Sequence, residues 1–210
     1  MRDRPRERGA FDALLDRLSA RLDPTDAPMR PGGGTIHAAV ALLLRPAAGA
    51  AGGTVDGSAE ILFIRRAQRE GDPWSGHIAF PGGRPEAGEA DLLAVAVRET
   101  VEEVGIDVRR GGRVIGRLPT VEPLSARLPP IDVTPFVALA PVGAAARPDP
   151  GEVEEAFWVP LSALRIAGPS AVVRRVIRGE RREWPAYPSP AGPIWGITER
   201  ILTGFLALAD

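Results

Sequence analysis

The segment from Ala90 to Val104 constrains this chain most, because it combines a helical repeat of apolar residues with three closely spaced glutamates. Gly105 follows it, at the position where a helix commonly ends. At about 100° per residue, Glu103 lies about 40° to one side of Glu99, and Glu102 lies about 60° to the other. The apolar side chains fall about 120° to 200° from Glu99 on the same helical wheel; they are Leu93, Val97, Val101 and Val104. The pattern predicts a helix that buries an apolar stripe and displays three carboxylates on the opposite face.

Three carboxylates on one helix face need a partner, because each like-charged pair three or four residues apart costs roughly 0.2–0.5 kcal/mol. Mg²⁺ or Mn²⁺ would turn this repulsion into coordination, since both ions prefer hard oxygen ligands. A solvated acidic face is the alternative interpretation of such a triplet. Gly82 and Gly83, shortly before the helix, favour the metal, because glycine allows the backbone to approach a ligand closely. The segment therefore predicts a metal and phosphate site.

Composition excludes several other kinds of chemistry. The 26 basic residues are all arginine, so a lysine Schiff base and a P-loop lysine are excluded. The chain has no cysteine, which excludes disulfides and thiolate sites. A net charge of −1 gives no indication of nucleic-acid or membrane-surface binding. No signal peptide is recognisable and no apolar run approaches the ~20 residues of a membrane span, so we expect a soluble cytoplasmic protein.

The order of the remaining patterns predicts a mixed α/β protein. Apolar residues at helical spacing indicate an amphipathic helix from Glu7 to Leu22 and a closing helix from Ile194 to Leu208, which buries Trp195 and Phe205. Residues 1–30 are assigned to an N-terminal helix and linker, and residues 31–210 to one main domain. Because both terminal helices are apolar on one face, they would suit a homodimer.

Strands are predicted from short apolar or β-branched runs. They are Ile36–Leu44, Ile61–Ile64, Val114–Val121, Val133–Leu139, Phe157–Val159 and Glu183–Pro193. Stretches rich in glycine, alanine or proline predict the turns and loops at residues 26–34, 46–58, 71–88 and 122–130.

The stretch from Gly83 to Ile106 resembles the Nudix box, which has a glycine, a glutamate six residues on, then Arg-Glu, Glu-Glu and a final glycine. The second half of the box matches throughout; it reads Arg98-Glu99-x-x-Glu102-Glu103-x-Gly105-Ile106. The resemblance implies a Nudix-type α/β/α sandwich with a mixed sheet, here with added N- and C-terminal helices. It also implies that Mg²⁺ or Mn²⁺ activates water for attack on a diphosphate.

The resemblance also assigns roles by position. It makes Glu99, Glu102 and Glu103 metal ligands, with the Gly83 carbonyl as a further ligand. Glu102 and Glu103 are then catalytic candidates, with Glu102 as a base. Arg98 would orient the carboxylates of the box rather than touch the substrate.

A glutamate after the box completes the catalytic set implied by the resemblance. Nudix proteins often supply another acidic residue from a loop at this point, and we favour Glu152 over Glu154 and Glu155. Ordinary solvated loop acids are the alternative.

One departure from the box concerns the residues between its first glutamate and its arginine. The usual spacer has seven residues, whereas Ala90 to Val97 makes eight. If the whole segment were helical, Glu89 and Arg98 would lie about 180° apart. Asp91 would lie on the side of Arg98, so either Asp91 or Glu86 could take the place of Glu89.

The longer spacer also resembles the coenzyme A diphosphatase branch, whose products are 3′,5′-ADP and 4′-phosphopantetheine. Phe80-Pro81-Gly82-Gly83 and Ile194-Trp195-Gly196-Ile197-Thr198 are similar to that branch as well. The branch carries a further signature before the box, approximately Arg-Ser-x-x-Leu-Arg-x-His-x-Gly. Between Arg66 and His77 only the arginines and Gly76 match it.

Candidate substrate contacts lie in the same region. A guanidinium fork suits phosphate, which makes candidates of Arg65, Arg66, Arg69 and Arg84. Trp74 and His77 could stack on a nucleotide or hydrogen-bond to it. The alternatives are surface arginines and aromatic residues that pack the loop, and His37 is interpreted as a sheet residue.

Two other functions are consistent with these residues. One is a Nudix hydrolase of ADP-ribose, of another nucleoside diphosphate derivative or of a dinucleotide polyphosphate. The other is a non-catalytic regulator that binds a nucleotide. The intact glutamate triplet and the lack of a basic stripe disfavour the regulator.

Overall fold

A computed structural model describes residues 9–26, 36–47, 59–123, 130–177 and 180–210. Its helices and strands, in chain order, are α1 (Ala10–Arg21), β1 (Ile36–Pro46), β2 (Ala59–Arg66), β3 (Ile78–Ala79), β4 (Gly82–Gly83), α2 (Leu92–Val104), β5 (Arg113–Arg117), β6 (Ile131–Leu139), β7 (Val153–Pro160), α3 (Leu161–Ala167), β8 (Ala171–Ile177), β9 (Glu180–Tyr187), β10 (Ile194–Trp195) and α4 (Ile197–Ala209).

The main sheet is mixed and is built around β1. Strand β1 runs parallel to β6 from Ile36 to Leu44, and β5 pairs antiparallel with the far edge of β6. On its other edge β1 pairs antiparallel with β2, and β7 pairs antiparallel with the outer edge of β2. Parallel and antiparallel pairs therefore occur in one sheet, as the predicted mixed α/β class requires.

Strands β1 and β2 pair only at one end, and the segment that contains β3 and β4 fills the gap between them. Strand β3 pairs with Ile64 and Arg65 of β2, whereas β4 pairs with Ala39 and Val40 of β1. The sequence predicted this segment as part of a loop, since its paired stretches are only two residues long. This pairing places Gly82 between the β1 side and the β2 side of the sheet.

Alternating side chains of the central strands pack on opposite faces of the sheet. In β1, Leu42 and Leu44 contribute to the core shared with α1 and α4, while Ala41 and Leu43 contribute to the core beneath α2. Both faces are thus covered by helices, which explains why the central strands read as almost continuous apolar runs. This is an α/β/α sandwich, and the predicted fold class is confirmed.

The terminal helices pack together on one face of the sheet. Leu14 and Leu18 of α1 and Phe205 of α4 are fully buried in the same core. The apolar faces that suggested a homodimer are therefore buried within one chain, and the homodimer stays a prediction. Helix α1 starts at Ala10 rather than Glu7, and α4 starts at Ile197 because Ile194 and Trp195 form β10.

A second sheet contains β8, β9 and β10 in antiparallel order. Strand β9 begins at Glu180, earlier than the predicted Glu183. Strand β8 was not predicted, because its arginines obscure the alternation of its valines. The predicted turns and loops at 26–34, 46–58 and 122–130 lie largely outside the described residues, as does most of the assigned linker. None of the helices that the structure describes is long and apolar enough to cross a membrane.

Candidate metal and active site

Helix α2 is positioned by well-defined ends. The Asp91 carboxylate accepts a hydrogen bond from the Leu93 amide at 2.9 Å, which caps the first turn. At the other end Gly105 adopts a left-handed conformation with φ of 68°, which a residue without a β-carbon adopts at no steric cost. The predicted helix is confirmed, with its start moved from Ala90 to Leu92.

The face that α2 buries differs from the predicted one. Val97 and Val104 of the predicted apolar stripe are buried, but Val101 is 41% exposed. Ala96, Thr100 and Glu103, which lie outside that stripe, are buried as well. The prediction that the glutamates lie opposite the buried face is therefore wrong. Apolar residues occur on most sides of this helix, so the sequence did not define one stripe. The choice of face depends on sheet groups that accommodate Glu103.

Three carboxylates converge at the sheet-facing side of α2. Oxygen atoms of Glu99, Glu103 and Glu152 all lie within 4.8 Å of one another, and these residues are called the glutamate cluster below. Glu152 enters from the turn just before β7. Glu102 lies outside the cluster, with an exposed side chain whose Oε2 lies 2.8 Å from Nη1 of Arg98. Of the predicted acidic site residues, the fold thus brings together three and leaves one at the rim.

Glu103 is the most buried member of the cluster, with a side chain only 2% exposed. The Gly82 amide donates a hydrogen bond to its Oε2 at 2.9 Å, and Nη1 of Arg66 lies 3.9 Å from its Oε1. The pKa of Glu103 is raised to about 8, mainly by burial; the Gly82 amide and the charge of Arg66 oppose this shift, and the charges of Glu99 and Glu152 add to it. A divalent cation would stabilise the ionised form of this carboxylate.

Glu99 lies against the backbone of β4. A β-carbon at Gly83 would come 2.2 Å from Glu99 Oε1, so only glycine leaves room for the carboxylate here. Nη1 of Arg98 donates to the same oxygen at 3.0 Å. Burial raises the pKa of Glu99; the neighbouring Arg98 opposes that shift, and Glu102 and Glu152 add to it.

Arg98 joins the first glutamate of the box to the carboxylates on the helix. It contacts Glu89 at 3.0 Å through Nη2, in addition to Glu99 and Glu102. The hydrogen bond from Arg98 lowers the pKa of Glu89. Glu89 precedes the helix, so the helical register that separated it from Arg98 does not apply.

The two proposed substitutes for Glu89 have other contacts. Asp91 caps α2, and Glu86 donates its backbone amide to Glu89 Oε2 at 3.2 Å. The expected orienting contacts of Arg98 are therefore present, and they include Glu89 despite the longer spacer.

Two predicted phosphate-binding arginines contact the glutamate cluster. Arg66 approaches Glu103, as described above, and donates to Asp72 at 3.0 Å. Arg69 donates to Glu152 Oε1 at 3.0 Å and to the Gly151 carbonyl at 2.8 Å. Both guanidinium groups therefore lie beside the carboxylates that would hold a cation.

The other predicted arginines are less closely associated with the cluster. Arg84 has an exposed side chain, and its carbonyl accepts a hydrogen bond from Arg98 at 3.1 Å. Arg65 contacts Glu155 and the Ala191 carbonyl. His37 is half exposed on β1 and lies 4.0 Å from Asp132, consistent with its interpretation as a sheet residue.

Trp74 and His77, the predicted aromatic contacts of the substrate, have different surroundings. Trp74 is half-buried in the turn after Arg69, and its amide donates to Asp72 Oδ1 at 2.9 Å. The His77 ring lies 4.6 Å from that of Trp195, between ring centroids. Burial lowers the pKa of His77, with a further contribution from the charge of Arg175.

Trp195 does not belong to the closing helix. It lies in β10 and contacts His77 and Trp184, so its predicted place in α4 is wrong. The buried position of Phe205 in α4 is confirmed.

Some neighbours of the site were missed from the sequence. Asp72 pairs with Arg66, and Trp184 and Arg175 contact Trp195. Nothing in the sequence placed the second sheet beside His77, because that contact depends on the tertiary fold.

The donor set of the glutamate cluster fits a hard divalent cation. Three carboxylates within 4.8 Å supply oxygen ligands only, which is the ligand type that Mg²⁺ and Mn²⁺ prefer. The missing β-carbon at Gly83 leaves the backbone close to the same carboxylates.

Known proteins are similar to this chain in sequence and in fold. A family model described as the NUDIX domain matches residues 43–178. Uncharacterized Nudix hydrolases named NudL are 32% identical in Photorhabdus laumondii and 35% identical in Salmonella paratyphi B, over 61% of this chain. The matches span 66% and 64% of those relatives' lengths. An uncharacterized Schizosaccharomyces pombe protein is 34% identical over 61% of this chain and 39% of its own length.

Two solved structures share the fold. A NUDIX hydrolase from Alicyclobacillus acidocaldarius has a TM-score of 0.52 and 18% identity, covering 85% of this chain and 95% of that one. A MutT/nudix family protein from Enterococcus faecalis has a TM-score of 0.51 and 17% identity, covering 87% and 65%. With the family model matching more than half of its residues, and the box glutamates packed against the glycines of β4, the chain belongs to the Nudix family.

Proposed function

We propose that this protein is a divalent-metal-dependent hydrolase that cleaves the diphosphate linkage of a nucleoside diphosphate derivative. The observation that carries the proposal is the glutamate cluster, whose three carboxylates lie within 4.8 Å of one another on one side of the sheet. A divalent cation would stabilise the ionised forms of these carboxylates, of which Glu103 is buried and Glu99 and Glu152 are partly buried. The same site is bordered by arginines suited to phosphate.

In this proposal Glu99, Glu103 and Glu152 hold Mg²⁺ or Mn²⁺, with the Gly83 carbonyl as an additional ligand. A bound ion of this kind neutralises charge on phosphoryl oxygens and makes water more acidic. Glu102 contributes as a further ligand when the ion is bound, or as the base expected from the box. Its side chain is exposed and is held by Arg98, so either role requires that contact to break.

Arginine side chains of the protein would bind the phosphates of the substrate. Arg66 and Arg69 now neutralise Glu103 and Glu152, respectively. A cation in the cluster would take over that role and leave both guanidinium groups available to phosphoryl oxygens, which they can bind through paired hydrogen bonds. Glu152 would then hold the proton of attacking water or orient it, as a nearby carboxylate can. Arg84 supplies a further cation at the exposed rim.

The substrate that we propose is coenzyme A or an acyl-CoA, cleaved to 3′,5′-ADP and 4′-phosphopantetheine. The eight-residue spacer and the segments around Phe80 and Trp195 support this choice. Trp74 and His77 are proposed contacts of the nucleotide, and both lie on the segment that joins β2 to β3. A cytoplasmic location and a small-molecule partner, without nucleic acid, complete the proposal.

A substrate panel tests the proposal. Coenzyme A, ADP-ribose and diadenosine polyphosphates are incubated with the protein and Mg²⁺ or Mn²⁺, and products are identified by mass in ¹⁸O-labelled water. We expect coenzyme A to be cleaved fastest, with the label in one product identifying the phosphorus attacked. EDTA and Glu103→Gln are the controls, and both should abolish most of the turnover.

The outcomes separate the alternatives. Rapid cleavage of ADP-ribose without cleavage of coenzyme A would keep the hydrolase and refute the proposed substrate. Nucleotide binding without any cleavage would refute the enzyme and support a regulator.

A further inference from the structure

The hairpin formed by β8 and β9 has two chemically different faces. Directly opposed residues share a face in an antiparallel pair, and Val173 opposes Trp184 while Arg175 opposes Arg182. Val173 is buried, so this is the inner face. On the outer face Arg174 opposes Glu183, a pair of opposite charge at 2.6 Å. The inner face therefore places two like charges across from each other beside an aromatic ring.

An aromatic cluster, consisting of His77, Trp184 and Trp195, adjoins those arginines. The Trp195 ring lies between the other two, at centroid distances of 4.6 Å from His77 and 5.7 Å from Trp184. The guanidinium carbon of Arg175 lies 5.7 Å from the centroid of Trp195. All three rings are only half-buried, so part of their surface stays accessible.

The aromatic cluster is continuous with the metal site. The Arg66 amide donates to the His77 carbonyl at 3.0 Å, which extends the pairing of β2 with β3 by one residue. His77 therefore shares a face of the sheet with Arg66, whose guanidinium group reaches toward Glu103. Arg66 therefore lies near both clusters, since its charge also contributes to the lowered pKa of His77. A substrate that spans both would place its diphosphate at one and its nucleoside at the other.

We propose that Arg175 and Arg182, with Trp184 and Trp195, bind the nucleoside end of the substrate and select a nucleotide that carries a further phosphate on its ribose. This inference rests on the proposed hydrolysis of a nucleoside diphosphate derivative. The indoles supply the stacking surface that a base requires. Arg175 and Arg182 face each other across the strand pair, so a phosphate monoester could accept charge-assisted hydrogen bonds from both guanidinium groups.

The test is nucleotide binding, because it does not require turnover. Adenosine 3′,5′-bisphosphate and AMP are titrated into the full chain with Mg²⁺ by calorimetry. We expect the bisphosphate to bind about tenfold more tightly or better, since hydrogen bonds between charged groups are the strongest ones. Arg175→Gln and Arg182→Gln should each remove most of that preference. The matched controls are Arg174→Gln and Arg181→Gln, which remove the same charge from the outer face of the same hairpin.

Each result has one meaning. Equal affinity of the wild-type protein for both nucleotides would overturn the subsite, as would equal losses in the inner-face and outer-face variants. Hydrolysis of coenzyme A without a preference for the bisphosphate would overturn the subsite and leave the proposed enzyme standing. A preference that depends on Arg175 and Arg182, in a protein that hydrolyses none of the panel, would support the subsite and refute the enzyme.

Discussion

The backbone amide of Gly82 donates a hydrogen bond of 2.9 Å to the Glu103 carboxylate, across the junction between β4 and α2. This contact gives a buried carboxylate one fixed donor, while its other oxygen, Oε1, lies 3.9 Å from Nη1 of Arg66. The arrangement requires both the glycine, which approaches β1 closely, and the inward-facing helix position. Local backbone geometry and the proposed chemistry are therefore linked at this pair.

Replacing Glu103 by glutamine tests whether the glutamates of the box are metal ligands or only an acidic face of the helix. The amide keeps the shape of the side chain but removes the charge that a cation requires. We expect Glu103→Gln to lose at least about tenfold in hydrolysis rate and in apparent Mn²⁺ affinity. Glu183→Gln is the matched control, because it removes one exposed carboxylate that is not part of the glutamate cluster. Equal Mn²⁺ affinity in the wild type and Glu103→Gln would refute the ligand assignment.

The raised pKa of Glu103 predicts how stability depends on pH. In the unfolded chain this carboxyl ionises near its ordinary 4.5, whereas in the folded protein it ionises at about 8. Between those values the folded state binds more protons than the unfolded state, so the free energy of unfolding falls as pH rises. We expect the metal-free melting temperature to decline from pH 5 to pH 8, and Glu103→Gln to reduce the decline.

Added Mg²⁺ should change that dependence in a defined direction. Because a cation binds the ionised carboxylate, its binding releases protons below about pH 8. The increase in melting temperature on adding Mg²⁺ should therefore grow as pH rises. The measurement is a melting series in EDTA and in Mg²⁺; a stabilisation that shrinks with rising pH would contradict the prediction.

Replacing each of the two glycines of β4 by alanine should have a different effect, on metal binding in one case and on stability in the other. At Gly83 the new β-carbon would meet the end of the Glu99 side chain, which can move away. Gly83→Ala should therefore fold normally but lose metal binding and activity. At Gly82 it would come 2.2 Å from the Ala39 carbonyl and 2.6 Å from the Val40 α-carbon, with φ at +154°. Gly82→Ala should lower the melting temperature strongly; two equally stable variants would contradict this difference.

Much of this site follows from spacing along α2, and the rest from contacts between distant segments. Helical spacing grouped Glu99 and Glu103, and the resemblance to the Nudix family made Glu152 a candidate. Spacing could not define the buried face, since the polar partners of Glu103 come from Gly82 and Arg66. The same limit explains Trp195, whose neighbours His77 and Trp184 lie in other strands.

Substitutions of Asp91 and Glu89 should affect different properties. The first should lower stability, and the second should lower the catalytic rate. Asp91 caps α2 through the Leu93 amide, so Asp91→Ala should cost about 1 kcal/mol of stability and leave the rate per folded molecule unchanged. Glu89 instead holds Arg98, which contacts Glu99 and Glu102. Glu89→Gln should reduce the catalytic rate severalfold, because Arg98 loses a charged partner that fixes its position. Denaturant unfolding and steady-state kinetics on both variants test this; a lower rate per folded molecule in Asp91→Ala would mean that Asp91 is the residue that supports Arg98.

Arg17 should stabilise the packing of the two terminal helices. Its Nη1 donates to the carbonyls of Ala209 and Asp210 at 2.8 Å and 2.6 Å, at the end of α4 where carbonyl groups lack partners within the helix. Arg17→Gln should therefore lower the free energy of unfolding by about 1 kcal/mol. The metal site lies across the sheet beneath α2, so Mn²⁺ affinity should stay unchanged. Arg181→Gln, on the outer face of the hairpin of β8 and β9, is the control for loss of one exposed positive charge. Equal stability of these two variants would show that the contacts of Arg17 with α4 contribute little, because the same charge would then have been lost without a specific cost.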